Sequence, residues 1–391
     1  MGQEAHLEKA APAGAVGCAR ALVEPLRALA KTCEQQRDVP AAAIALLREA
    51  GLLRLYQPAA FGGSELAYGR PQLEICQTIG SVSASIAWVQ SGIAVHAWML
   101  GTFPIEAQEA AWRQTPDAHV ATAVAYEHAS SEPVDGGFLL TGRWQFSSGC
   151  SACDWIIVRA PVKIGGVGEM RLCLLSKHDV TIIDVWNPIG LRGTGSNDVE
   201  AKGVFVPLRH TVNILSLRGD GCAIGVKNPS PLFTMPFMAL FPYTVAAPAV
   251  GVAMGALEAF RLELLSRPDR LNNVSRQVRF SEAAAEIECA RLLMAETGAA
   301  IEDAIAKRRI FSATERATAK RNTGYAARLC REAVALLVEM LGAHGVRQEH
   351  PVQHAYRDLL AISSHMGLNW DNSGEIYGRA SFGLAPTDPM A

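Results

Sequence analysis

Charge of one sign is what this sequence lacks: 36 Lys and Arg face 38 Asp and Glu in 391 residues, a formal net charge of −2. No Lys/Arg cluster and no basic helix face occurs, so no electrostatic footprint for a nucleic-acid partner exists. Metal-site spacing is also missing. The ten histidines are scattered, and none stand in an H-E-x-x-H pattern. The one C-x-x-C, Cys150 and Cys153, has no second pair to complete a four-ligand zinc site. A redox C-x-x-C needs a βαβ setting, and the region around this one reads as strands only. Nine cysteines, an odd number in a long chain without an export signal at its start, read as reduced thiols in the cytosol, with Cys150 and Cys153 buried and inert. The opening MGQEAHLEKAAPAG has neither an apolar segment nor the Ser or Thr of a myristoylation signal. Residues 228–257 carry no charge, a length that raises a membrane span. Pro229, Pro231, Pro236, Pro242 and Pro248 punctuate them, which predicts a buried loop and then a buried helix, with no membrane crossing.

What is present is ample core. Apolar residues make up 49% and charged residues 19%, so several packed units are feasible and global disorder is not. The first third reads helical: "LVEPLRALAKTCEQQ" places Leu22, Val23, Leu26 and Leu29 at a helical period. "VPAAAIALLREAGLLRL" follows, with Pro40 near its start and Gly51 at its end. "QLEICQTIGSVSASIAWVQSGIAVHAWMLGTF" predicts two buried helices. Near His119 the texture changes to short β-rich runs such as "GFLLTGRW" and "DWIIVRAPV", separated by turn residues, which suits a small antiparallel barrel or sandwich. Long amphipathic patterns then return, with Gly342 and Gly345 as stop signals and a final helix after Pro351. The organisation is α+β: an N-terminal helical domain over 1–118, a middle β-barrel over 119–225 and a C-terminal four-helix bundle over 226–391.

Two short stretches invite a ligand. In "GRWQFSSGCSACDW" a Ser-Ser-Gly follows a strand, where a hydroxyl can meet a flat ligand and glycine lets backbone approach. Alone it is an ordinary turn. In "NPIGLRGTGSNDVEAKGVFVP", Arg192, Thr194 and Ser196 offer a fixed charge, two hydroxyls and flexible backbone N–H groups, suited to a phosphate or a polar ring edge. The strand–GxGxxG–helix and GK[ST] contexts of nucleotide folds are absent. His96 lies in an apolar helical stretch and His365 near a helix end, where an imidazole suits acid–base work.

Taken in order along the chain, "RDVPAAAIALLREAGLLRLYQPAAFGGSEL", "GRWQFSSGCSACDW", "WNPIGLRGTGSNDVEAKGVFVP" and "YRDLLAISSHMGLNWDNSGEIYGRASFGL" resemble the acyl-CoA dehydrogenase fold over almost the whole length. Two departures separate the chain from true dehydrogenases. Their catalytic glutamate sits in a Tyr-Glu-Gly-Thr-like motif, which "HMGLNWDNSGEIYGR" lacks. Their Arg-x-x-Phe-Gly-like segment grips the FAD diphosphate, and "RLNNVSRQVRFSEAA" keeps Arg279 and Phe280 without the glycine. The chain instead resembles the two-component flavin-dependent monooxygenases of this fold, the branch that oxidises hydroxyphenylacetate, dibenzothiophene and indoles.

That resemblance implies an oxygenase component taking reduced FMN or FAD from a separate NAD(P)H-dependent flavin reductase. With O2 it would form a flavin C4a-hydroperoxide and insert one oxygen atom into a small aromatic or heteroaromatic substrate of indole or phenol type. It implies Ser148 at flavin N5, with Ser147 beside it, and Phe146 over the ring. His96 and His365 match catalytic histidines, with His365 following Arg357. Arg192, Thr194, Ser196, Asn369 and Trp370 match cofactor contacts. Trp88, Val95, Trp98, Met99 and Phe241 would line the substrate pocket. A cytoplasmic homotetramer is implied. The alternatives are an acyl thioester dehydrogenase or oxidase, and a non-catalytic scaffold of the same fold.

Overall fold

A computed structural model describes residues 12–66, 68–218, 228–385 and 387. The N-terminal unit is helical: α1 (Pro12–Ala21), α2 (Val23–Gln36), α3 (Ala41–Glu49), α4 (Arg70–Gly80), α5 (Ala84–Leu100) and α6 (Ile105–Trp112). Helix α2 buries Leu26 and Cys33, two turns apart on one face. It ends at Arg37, whose left-handed backbone turns the chain while its guanidinium holds Asp184 at 2.6 Å. Helix α5 is capped by Ser83 and is apolar all round, as befits a helix buried on every side.

The middle unit is two four-stranded sheets. Strands β1 (Val120–Ala123), β2 (Ala125–Val134), β3 (Gly137–Ser147), β4 (Trp155–Ile164), β5 (Val167–Ser176), β6 (Thr181–Ile183), β7 (Asn197–Pro207) and β8 (Thr211–Asn213) pair in the orders β1-β4-β5-β8 and β2-β3-β7-β6. The sequence predicts antiparallel pairing throughout; β1 and β4 instead run parallel, with Val120 opposite Trp155. This sets the short, fully buried β1 against α5.

The C-terminal unit holds α7 (Phe237–Leu265), α8 (Val274–Ala306), α9 (Ala313–Leu341), α10 (Pro351–Ser363) and α11 (Trp370–Ser381). Pro242 and Pro248 do not break α7, contrary to the reading that prolines at this density would. The reason at Pro248 lies elsewhere in the chain. Its missing N–H frees the Thr244 carbonyl, and Ser91 Oγ donates to that oxygen at 3.0 Å. By length and composition α7 could cross a membrane, but 78% of its most apolar window is buried inside the protein. Gly251 makes that burial possible: a Cβ there would stand 2.5 Å from the Cys76 carbonyl of α4. The single helix expected after Pro351 is two. His365 accepts the Gly367 N–H and Asn369 accepts the Asn372 N–H, so a short turn separates α10 from α11. The domain boundary expected at 225/226 lies outside the described residues. One hydrophobic core runs continuously through all three units.

Candidate active site

The three units meet around a cavity of about 610 Å³. Helix α5 contributes Trp88, Gly92, Val95 and His96, spaced so that they share one helix face. Strand β1 contributes Thr122, and the end of β3 contributes Phe146 and Ser148. The loop between β6 and β7 adds Trp186, Leu191 and Ser196; α7 adds Phe241, and the end of α10 adds His365. None of the described residues lining this cavity is charged.

The wall around Ser148 is built under strain. Between Trp144 and Ser147 the β3–β7 register shifts, and Phe146 takes a left-handed backbone at φ 63°. Such a bulge re-aims side chains. Phe146 is thrown outward, 58% exposed at the cavity mouth, with Trp186 edge-on at 6.3 Å. Gly149, at φ 69°, then turns the chain so closely against α5 that a Cβ would stand 2.9 Å from Val89. Ser148 lands beside Trp88, whose Nε1–H donates to its Oγ at 3.1 Å. Ser196 Oγ lies 2.7 Å from Ser148 Oγ and 2.6 Å from Thr194 Oγ1, and Thr194 donates to the Leu191 carbonyl at 2.9 Å. Leu191 is itself left-handed, at φ 52°. It is held by the buried Asp358, which accepts its N–H at 2.7 Å. Burial pushes the Asp358 carboxyl up, against the pull of His354, the Leu191 N–H and Arg357.

The two cavity histidines are opposites. His96 Nδ1 lies 3.1 Å from the Val120 carbonyl, which can only accept, so Nδ1 carries the proton. Its Nε2 then accepts from the Thr122 hydroxyl at 2.9 Å. His365 Nδ1 accepts the Gly367 N–H at 3.0 Å, so its proton is on Nε2. Burial pushes His96 down to about 4, against the Val120 bond that favours its charge. Burial, assisted by the Lys320 ammonium, pushes His365 down to about 4 as well. Both imidazoles are neutral at physiological pH. Trp88 and Phe241 flank His365 at 5.5 and 5.6 Å between ring centroids.

Other residues singled out in the sequence lie elsewhere. Trp98 donates to the Leu232 carbonyl at 2.9 Å inside the core, and Met99 is buried beside it. Ser147 is buried behind the strand and does not line the cavity. Arg192 is spent on Glu34 at 3.6 Å, on Asn187 and on the Pro188 carbonyl. Asn369 caps α11, and Trp370 packs on Tyr325 at 5.1 Å. Cys150 and Cys153 are free thiols in the core; burial pushes Cys150 up to about 11 and Cys153 higher than its ordinary value. Glu263, His344 and His350 cluster at the far end of α7 with metal-like spacing. There His350 Nδ1 accepts the Val352 N–H, so its Nε2–H faces Glu263 at 2.7 Å, and Arg267 donates to His344 at 3.0 Å. The cluster is satisfied as a pin between helices.

The residues present fit a flat, neutral-faced heteroaromatic ring. The walls are aromatic and aliphatic, and Ser148 supplies a hydroxyl oxygen with a lone pair to spare at the ring edge. The sequence reading missed Thr122, Trp186 and Asp358. Thr122 was legible as the one aliphatic hydroxyl in the apolar run "HVATAVAY".

Two family models match the chain: the acyl-CoA dehydrogenase N-terminal domain over residues 17–115 and its C-terminal domain over residues 243–370. The oxygenase component of a FADH(2)-dependent resorcinol hydroxylase from Rhizobium is 31% identical, over 95% of this chain and 94% of its own. The oxygenase subunit HsaA, a flavin-dependent monooxygenase from Rhodococcus jostii, is 31% identical over 95% and 98%. The crystal structure of the HsaA monooxygenase from M. tuberculosis superposes with a TM-score of 0.92 at 30% identity, covering 97% of this chain and 100% of that one.

Proposed function

This chain belongs to the flavin-dependent monooxygenases of the acyl-CoA dehydrogenase fold, as an oxygenase component, and we propose that it hydroxylates a small, uncharged phenol or indole. The observation that carries this reading is the convergence of Ser148, His96 and His365 on one cavity without a charged wall. A substrate carboxylate or phosphate would find no counter-ion there. Abstraction of a proton α to a thioester needs a carboxylate base, and none of the described lining residues is Asp or Glu. The dehydrogenase reading therefore lacks its base, and a scaffold would not need two strained turns aimed at one cavity.

Reduced flavin, supplied by a separate NAD(P)H-dependent reductase, would bind against Ser148 and bring the O2 chemistry. The resorcinol hydroxylase's name favours FAD over FMN as that flavin. Ser148 Oγ orients the ring edge, while Phe146 and Trp186 shield the mouth. His365 Nε2–H points a proton donor at the oxygen being transferred, between Trp88 and Phe241. His96 and Thr122 mark the polar end where a substrate O–H or N–H docks. Thr194 and Ser196 serve the flavin through Ser148. We read the paired sheets as one barrel and α7–α10 as the bundle through which four copies assemble in the cytoplasm.

The test supplies chemically reduced FAD anaerobically, then O2 labelled with ¹⁸O, with resorcinol and indole as probes. Label in a hydroxylated product supports the reading. Oxidised FAD bleached by an acyl-CoA, with no labelled product from either probe, overturns it.

A further inference from the structure

The hydroxyl chain behind Ser148 has a direction, and counting protons fixes it. Three oxygen–oxygen contacts run in series: Ser148 to Ser196 at 2.7 Å, Ser196 to Thr194 at 2.6 Å, and Thr194 to the Leu191 carbonyl at 2.9 Å. Each contact needs one proton between its oxygens, and three hydroxyls supply three. The chain ends on a carbonyl, which cannot donate. Thr194 must therefore donate to Leu191, Ser196 to Thr194, and Ser148 to Ser196. Trp88 Nε1, which can only donate, takes one lone pair of Ser148. Ser148 is left with a single lone pair and no proton to offer the cavity.

We propose that Thr194 and Ser196 are positioning residues that lock Ser148 as an acceptor, so that the site selects a ring N–H over a bare ring nitrogen. This rests on the reading that flavin lies against Ser148. Reduced flavin carries a proton on the central ring nitrogen, N5, whereas oxidised flavin has only a lone pair there. The locked hydroxyl bonds the first and faces the second lone pair to lone pair. An enzyme that collects reduced flavin from another protein gains by such a preference, because the spent, oxidised ring is released.

The preference is measured as the ratio of dissociation constants for oxidised and reduced flavin, by anaerobic titration with FAD, and independently as the midpoint potential of bound FAD. One neutral hydrogen bond gained or lost changes the ratio by about three- to tenfold. For a two-electron couple that is about 15–30 mV. Thr194→Val removes the acceptor of the Ser196 proton, frees Ser196 to turn toward Ser148, and lets the Ser148 proton face the cavity. Leu191 O keeps the Trp186 Nε1–H at 2.9 Å, so no buried acceptor is stranded. The expected result is a ratio lowered by about three- to tenfold and a potential lowered to match, with Thr194→Ser restoring both. Ser196→Ala, which removes the acceptor of the Ser148 proton, gives the same shift and serves if Thr194→Val does not fold. An unchanged ratio in Thr194→Val or Ser196→Ala, while Ser148→Ala alters it, overturns the directional lock and leaves the flavin placement standing. If Ser148→Ala changes neither affinity, the placement itself fails.

Discussion

Lowering the pH from 7 to 5 should weaken the folded state specifically through His96. In the unfolded chain this imidazole titrates near its ordinary 6.5; in the folded chain burial holds it at about 4. Between those values the unfolded chain binds a proton that the folded chain refuses, so stability falls as pH falls. Protonation in place would also force Nε2–H against Thr122, which now donates to that nitrogen. The shift is about 2.5 pH units, worth about 3.4 kcal/mol once the pH lies below both values, of which about 2 kcal/mol is lost between pH 7 and pH 5. Carboxylates elsewhere titrate over the same range, so a single unfolding curve does not isolate the histidine. Urea unfolding of the wild type and His96→Asn at both pH values does, because the other groups are common to both proteins. The stability gap should move by about 2 kcal/mol in favour of the variant at pH 5. Nitrogen NMR should report the Nδ1–H tautomer of His96 throughout. A gap that does not move, or a His96 midpoint at 6.5 or above, refutes the reasoning.

Replacing Ser148 by Ala should raise the hydrogen peroxide formed per molecule of product, read by peroxide assay against chromatography, while the melting temperature shifts little. Asp358→Ala strips the partner from the buried Leu191 N–H, while His354 and Arg357 keep Glu34 at 3.2 and 3.5 Å, a loss of about 1–3 kcal/mol by urea unfolding; Asp358→Asn keeps an acceptor and should cost less. Gly251→Val forces branched atoms into the Cys76 carbonyl and should lower stability by about 1–3 kcal/mol, seen as a lower urea midpoint with unchanged slope.

The long helices were legible because apolar periodicity is a local property, and so were the chain's three textures. The site was only half legible. Trp98 and Met99 looked like pocket residues because they are large, apolar and near His96. Trp98 lies two residues past His96, about 200° round the helix axis, and Met99 almost a full turn beyond it. Helix phase alone would have set Trp98 apart. Arg192 looked like a free cation for phosphate, but its partner Glu34 comes from α2, and no local spacing announces that pairing. The same holds for α7. A proline reads as a helix breaker until Ser91, from another helix, takes up the carbonyl it frees. The strained backbones of Phe146 and Leu191 are invisible in sequence, because neither residue favours a left-handed conformation.

His96 and His365 share a residue type, a depressed pKa and a cavity, yet they present opposite faces to a ligand. The difference comes from one backbone group each: a carbonyl at Val120, which demands a proton, and an N–H at Gly367, which supplies one. Neither partner depends on pH, so the two tautomers are fixed by the fold. His365 sits at the end of the helix whose Asp358 anchors Leu191, the residue on which the Ser148 hydroxyl chain terminates. Helix α10 therefore holds the donor imidazole and the acceptor serine in one frame. A tilt of that helix would disturb the His365 donor and the Ser148 hydroxyl together, whereas a change at His96 would leave both in place.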